Sequence, residues 1–160
     1  MQLRPPARLV DPRARAYWAT ENLLGVVVLA AGLTAWSIWG GLGGVWRYAA
    51  FLLLIVMAVV GVVVVPWGRY RIHRWEVTDT AVYTQRGWLT IEQRIAPISR
   101  VQTVDTERGA VARLFGLASV RVTTASAKGE LKIDGLSRSL AEQIATDLTV
   151  VTAADPGDAT

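Results

Sequence analysis

The chain has 160 residues, 17 of them Lys or Arg and 13 Asp or Glu, and its mean hydropathy is +0.32. Only 19% of its residues are charged, against about 25% in soluble domains, which disfavours a free soluble protein. Because there is no cysteine, disulfides, thiolate metal sites and cysteine nucleophiles are excluded.

The first half of the chain contains two long uncharged segments. Residues 1–21 form a basic segment, expected in the cytoplasm, in which Asp11 and Pro12 are residue types that favour the start of a helix. No charge occurs in residues 22–46 or in residues 48–68. About 20 apolar residues cross a hydrocarbon core of about 30 Å. The sequence therefore predicts a transmembrane helical hairpin over 22–68, with spans at about 22–40 and 46–67 and a glycine-rich turn between them.

The residues flanking the spans predict an orientation. Arginines cluster before the first span and after the second, whereas the connecting turn has only Arg47. The positive-inside rule then places both termini in the cytoplasm. The arginines expected at the membrane surface, where they set topology or bind anionic lipid, are Arg13, Arg15, Arg69, Arg71 and Arg74. The predicted interfacial belt consists of Trp18, Trp39, Trp46 and Trp67.

Two other interpretations of these segments stay open. A cleaved signal peptide also has a basic start and an apolar stretch, although no A-x-A cleavage site follows the first run and a second span does. Two buried core helices of a soluble protein would be apolar as well. The spans contain no ionisable residue, which argues against a transport pathway within this chain.

From Arg69 the sequence changes to short alternating stretches, and a β domain is predicted over 69–152. The candidate strands are 69–78, 80–87, 88–96, 98–107, 117–126 and 129–135. A short helical turn over 109–116 is expected to plug the fold with Leu114 and Phe115. A C-terminal helix is predicted from a capping box at Ser139 and Glu142, with an apolar stripe of Leu140, Ile144, Leu148 and Val151. Residues 153–160 are predicted to be a disordered tail.

Several motifs give the chain a family resemblance. They are Trp75–Thr78, Gly87–Leu89, Ile98–Gln102 and, above all, Arg113–Ala125, whose core is Arg113, Leu114, Phe115, Gly116 and Leu117. With the two preceding spans, they resemble the bacterial pleckstrin-homology (PH) domain-containing membrane proteins of the YdbS-like type, over about residues 20–150. The resemblance implies an α+β fold with a membrane anchor: a two-helix transmembrane hairpin, then a PH-like antiparallel β-barrel or sandwich capped by the C-terminal helix. It implies no catalytic residues, and a larger PH-repeat membrane protein as a possible partner.

The sequence contains no enzyme signature. His73 is the only histidine, so neither a histidine-dependent triad nor a multi-histidine metal site forms within one chain. The acidic residues alternate with arginines, as on a solvated face. We therefore predict no catalytic, cofactor-binding or metal-binding residues and no cofactor.

The charge balance also bears on the partner. Residues 69–160 contain 12 basic and 11 acidic residues, which is too even for nucleic-acid binding. The Thr78–Thr80 turn carries Asp79 rather than the basic residues of phosphoinositide-binding PH domains. We therefore predict a non-catalytic interaction or scaffold module at the cytoplasmic face of the bacterial inner membrane. It would contact the lipid bilayer and bind a membrane or membrane-proximal protein. The alternatives are an anionic-lipid-sensing module and an accessory subunit of a transporter or envelope-stress complex.

Overall fold

The computed structural model describes residues 4–41, 43–125 and 129–154. Its N-terminal half contains a short strand, β1 (Arg8–Leu9), followed by helix α1 (Ala14–Trp39). After the turn come α2 (Val45–Val59), a π-helical turn (Val60–Val64) and α3 (Val65–Ile72), which together form one helix, Val45–Ile72. The predicted hairpin is therefore present. Gly41 and Gly44 in its turn have φ of 74° and 60°, a backbone region open mainly to glycine.

Both hairpin helices are long and apolar enough to cross a membrane. None of the residues in their most apolar 18-residue windows is buried within the protein. Core helices of a soluble protein would bury these side chains, so this exposure argues against that alternative.

The helix boundaries differ from the predicted spans at the domain side. Helix α1 begins at Ala14, where Asp11 Oδ1 accepts a hydrogen bond from the Arg13 N–H at 2.8 Å and the Asp11 carbonyl accepts one from Ala14 at 2.9 Å. The strand predicted over 69–78 is wrong for residues 69–72, which continue the helix. The alternation of Arg with Tyr and Ile there fits a strand equally well, and packing of α3 against α1 favours the helix.

The β domain consists of two antiparallel sheets. The strands after α3 are β2 (Arg74–Val77), β3 (Ala81–Gly87), β4 (Ile91–Pro97), β5 (Val101–Glu107), β6 (Leu117–Thr124) and β7 (Glu130–Ser137). One sheet has the order β1-β2-β3-β4 and the other the order β5-β6-β7. The sheets do not join into a closed barrel, so the sandwich form of the predicted fold is the one observed. Residues 88–90 form a bend and Ile98–Arg100 a 3₁₀ turn, which shortens two predicted strands.

Two short predictions around the helices need correction. Helix α4 (Ala110–Leu114) occupies the predicted helical turn, but Leu114 is 83% exposed and does not plug the fold. Phe115 packs against the core, and Leu117 lies within it. The positive φ of Gly116, 67°, turns the chain between α4 and β6 and separates these side chains.

The C-terminal helix α5 (Arg138–Ala154) begins earlier than predicted. Ser137 Oγ, rather than Ser139, accepts a hydrogen bond from the Leu140 N–H, at 3.4 Å. Ile144 and Leu148 are buried, as the stripe predicted, whereas Val151 is exposed. Of the predicted tail, residues 153 and 154 are helical, and 155–160 lie outside the described residues.

The N-terminal segment is part of the β-domain core. Val10, Ala14 and Trp18 are buried there, β1 pairs with β2, and the Asp11 N–H donates to the Gly135 carbonyl at 2.8 Å. Trp18 is only 2% exposed, so its assignment to the interfacial belt is wrong. The physical reason is that the first turns of α1 precede its apolar stretch and pack on β7 at Gly135.

A glycine pair tests this packing. Gly135 and Gly129 have similar φ values, 74° and 69°, but a Cβ at Gly135 would lie 2.9 Å from the Ala14 Cβ, whereas one at Gly129 meets nothing within 4 Å. Alanine at either position costs about 1–2 kcal/mol for the left-handed backbone. We expect Gly135→Ala to lower the free energy of unfolding by about 1–3 kcal/mol more than Gly129→Ala, because of overpacking. Thermal unfolding of the full-length protein in detergent measures the difference, and equal losses would contradict the packing.

Candidate functional site

A cavity lies where the helical hairpin meets the β domain. Its volume is about 550 Å³. The lining comes from the end of α3, the β3–β4 hairpin and β7: Arg69, His73, Arg86, Gly87, Trp88, Thr90, Ile91, Glu92 and Asp134. The cavity is thus an open groove formed by elements distant in sequence, next to the end of the second hairpin helix.

Trp88 lines one side of this cavity and packs against the Val45–Ile72 helix. A Cβ at Gly68 would lie 2.2 Å from Trp88 Nε1, so the indole packs directly on the helix backbone. A side chain at position 68 would displace the indole. Glycine at position 68 therefore permits the β3–β4 hairpin to approach the Val45–Ile72 helix closely.

The formal charges of the residues that line the cavity cancel. Arg86 Nε bonds Glu92 Oε2 at 2.8 Å, and Arg94 Nε bonds Glu92 Oε1 at 2.6 Å. The hydrogen bonds from Arg94 and Arg86 lower the pKa of Glu92. Asp134 pairs with Lys132 at 3.1 Å. Since Arg69 and Arg86 face Glu92 and Asp134, the lining has no formal excess charge, and the cavity is not an anion pocket.

His73 is a buried neutral group at the base of the cavity. Its ring lies 5.0 Å from the Trp18 ring, and its Nδ1 is 3.1 Å from the Arg69 carbonyl, a distance at which a protonated Nδ1 donates. Burial, followed by the charge of Arg69, lowers the pKa of His73 to about 4. Within residues 4–41, 43–125 and 129–154, no three His, Asp or Glu side chains cluster as a metal site would require.

The arginines expected at the membrane surface are not gathered into one pocket. Three stack on aromatic rings: Arg69 lies 4.5 Å from the Trp18 ring centre, Arg15 lies 4.8 Å from that of Tyr70, and Arg71 lies 3.5 Å from that of Trp67. The first two pairs are reciprocal, since each of α1 and α3 supplies one arginine and one ring. Such contacts contribute about 0.5–1 kcal/mol each at exposed sites. Arg15 and Arg69 therefore help hold the two helices together, whereas Arg71 stacks on a ring of its own helix.

The other predicted residues take separate positions. Arg13 lies at the start of α1 close to Gly116, and Arg74 begins β2 opposite Leu9. Trp39 and Trp46 are exposed at the hairpin turn, and Trp67 is 51% exposed near the other end of the second helix. Their location at the interfaces stays a prediction. Arg113 is exposed on α4.

Sequence reasoning missed the cavity, and it predicted the turn of the β3–β4 hairpin at Arg86 and Gly87 rather than at residues 88–90, which form the tip. The predicted strand over 88–96 includes Trp88 because the apolar residues Leu89, Ile91 and Ile95 alternate with the polar residues that follow each of the first two. Glycine at position 87 is the sequence signal for the turn. Gly87 is the last residue of β3, and its φ of 128° directs the chain into the bend that contains Trp88 and Leu89. The approach of Trp88 to Gly68 depends on the tertiary fold and leaves no local pattern.

Comparison with known proteins identifies a matching family and a related protein. The sequence profile of the "Bacterial PH domain" matches residues 14–149, from the first residue of α1 to within α5. The chain is also 28% identical over 132 residues to the UPF0699 transmembrane protein YdbS of Bacillus subtilis (strain 168). That alignment covers 76% of this chain and 78% of the relative. No solved structure matches the chain significantly.

The buried histidine predicts a pH dependence of stability. The pKa of His73 is about 4 in the folded protein and about 6.5 when unfolded, so the unfolded state binds more protons below pH 6.5. The stability present above pH 6.5 is therefore lost as the pH falls toward 4, by about 2 kcal/mol between pH 7 and pH 5. His73→Gln should remove this loss. Thermal unfolding at both pH values measures it, and identical shifts for wild type and variant would contradict the assignment.

Proposed function

The chain belongs to the bacterial PH domain family, and from this premise we propose that it is a non-catalytic, membrane-anchored interaction module. Its hairpin spans the bacterial inner membrane twice, with both termini in the cytoplasm. Its β domain binds a membrane or membrane-proximal protein at the cytoplasmic face. A larger membrane protein with repeated PH domains is one partner of this kind.

The observation that carries the proposal is the rigid mounting of the β domain on the hairpin. Only His73 separates α3 from β2, and the first turns of α1 are buried in the β-domain core. The hydrogen bond from the His73 N–H to the Arg69 carbonyl, at 2.9 Å, fixes that single connecting residue. A domain attached in this way keeps one height and one orientation relative to its helices. Such mounting suits the presentation of a fixed surface to a neighbour.

Strand β4 offers a surface for that neighbour. It is the edge of its sheet, with β3 as its partner, and it exposes Ile91 and Ile95 at 57% and 40%. Glu92 and Arg94 project to the opposite face, where they pair with each other. An edge strand provides main-chain hydrogen-bonding groups, and its exposed alternate side chains give an added strand its register.

The charges favour a protein partner over a lipid headgroup. The cavity lining is balanced, and Arg15, Arg69 and Arg71 are stacked on rings of the hairpin helices. The Thr78–Thr80 turn contributes an exposed aspartate, Asp79, and its hydroxyls bond within the turn. An anionic headgroup would find no concentrated positive charge at either place.

Photocrosslinking in cells tests the partner surface. We expect a photoreactive amino acid at Ile95 in the full-length chain to give a discrete adduct with a membrane protein, because this exposed side chain lies on the edge strand of the sheet. The matched control is Gln143, which is exposed on α5. Ile95→Arg should abolish co-purification of the same protein. If positions 95 and 143 give the same adducts, or neither gives one, β4 is not the interface.

Reporter fusions test the topology. We expect a reporter fused after Thr160 to be active in the cytoplasm, and one inserted between Gly43 and Gly44 to be active outside it, because the arginines lie on the domain side of the hairpin. Activity is measured with paired cytoplasmic and periplasmic reporters. The reverse pattern would overturn the orientation, and two cytoplasmic signals would overturn the span itself.

A further inference from the structure

The tip of the β3–β4 hairpin is an exposed apolar point of the β domain. Leu89 is 86% exposed and Trp88 is 36% exposed, although both are large apolar side chains. At the other end of β3, the β2–β3 turn carries the exposed residues Asp79 and Thr80. The seven residues of β3 separate these two ends by about 20 Å. The sheet therefore has one apolar end and one polar end.

The apolar end lies beside the second membrane helix. Trp88 packs on the backbone of Gly68, the residue after Trp67, which is itself half exposed beside Arg71. Tryptophan is enriched at the boundary between hydrocarbon and headgroups. Trp88 thus stands next to a residue already predicted to lie in that boundary.

The length of the helix gives the depth of this point. From Val45 at the turn to Gly68 the helix rises about 35 Å, at 1.5 Å per residue. The hydrocarbon core is about 30 Å thick, and each interfacial layer adds about 5–7 Å. Gly68, and with it the hairpin tip, falls in the interfacial layer on the domain side.

The charges next to the tip do not hold it out of this layer. Arg86 and Glu92 face each other across β3 and β4 just behind the tip, and they neutralise one another at 2.8 Å. The residues of the turn itself, 88–90, carry no charge. Insertion of Leu89 therefore removes apolar surface from water without moving an unpaired charge into lipid.

We propose that Trp88 and Leu89 insert into the interfacial layer of the cytoplasmic leaflet and form a third contact of the chain with the membrane. The occupant of this apolar surface is lipid, because the surface continues the membrane interface at Trp67. This contact would fix the tilt of the β domain on the bilayer. The inference rests on the proposed placement of the hairpin in the membrane, and the experiment below separates the two.

Spin labels measure the depth of a labelled side chain in the membrane. Because the chain has no cysteine, a single introduced cysteine carries the only label. Single variants Leu89→Cys, Asp79→Cys and Leu53→Cys of the full-length protein carry a nitroxide in vesicles of phosphatidylethanolamine and phosphatidylglycerol. All three side chains are exposed, so labelling leaves the fold intact. We expect the ratio of oxygen accessibility to nickel-chelate accessibility to be highest at position 53, severalfold lower at 89, and lowest at 79.

Each other outcome overturns a defined statement. If position 53 is as accessible to nickel as position 79, the hairpin is not in lipid and the proposed function itself fails. If position 53 is deep and position 89 resembles position 79, the tip is in water and only the inference fails. If position 89 is shielded from both reagents, protein covers the tip, and lipid is not its occupant.

Discussion

The structure depends on the burial of the first turns of α1 inside the β domain. Trp18 belongs to the buried core, and its ring contacts the ring of His73. The Arg69 guanidinium lies over the same Trp18 ring. The Trp18 side chain thus links the first hairpin helix, the end of the second hairpin helix and the start of strand β2. Removing a buried tryptophan typically costs 3–5 kcal/mol, which is a large share of the stability of a domain of this size.

The connection between the helical hairpin and the β domain is short. Because α3 and β2 are joined through His73 alone, the β domain with its cavity, β3–β4 hairpin tip and β4 edge follows the helical hairpin without a longer linker. The arginine–aromatic pairs across α1 and α3 strengthen the same junction. Charges that the sequence associates with lipid therefore also have an internal structural role.

The family match and the fold agree on the general character of the chain. The profile begins at the first residue of α1, so the turns buried in the β domain lie within the matched region. A PH-like sandwich in a membrane-associated protein follows from both. The distribution of polar and apolar residues then gives β3 a polar turn with Asp79 at one end and an exposed apolar tip with Leu89 at the other.

The sequence by itself determined the hairpin, the antiparallel strands and the C-terminal helix, because hydropathy, alternation and helical periodicity are local patterns. Only the tertiary structure decided that Trp18 is buried, that residues 69–72 are helical, and that Ser137 caps the start of α5. It also decided that Trp88 reaches Gly68. Each of these depends on which distant surface a side chain meets, and a tryptophan that favours an interface favours a core equally well.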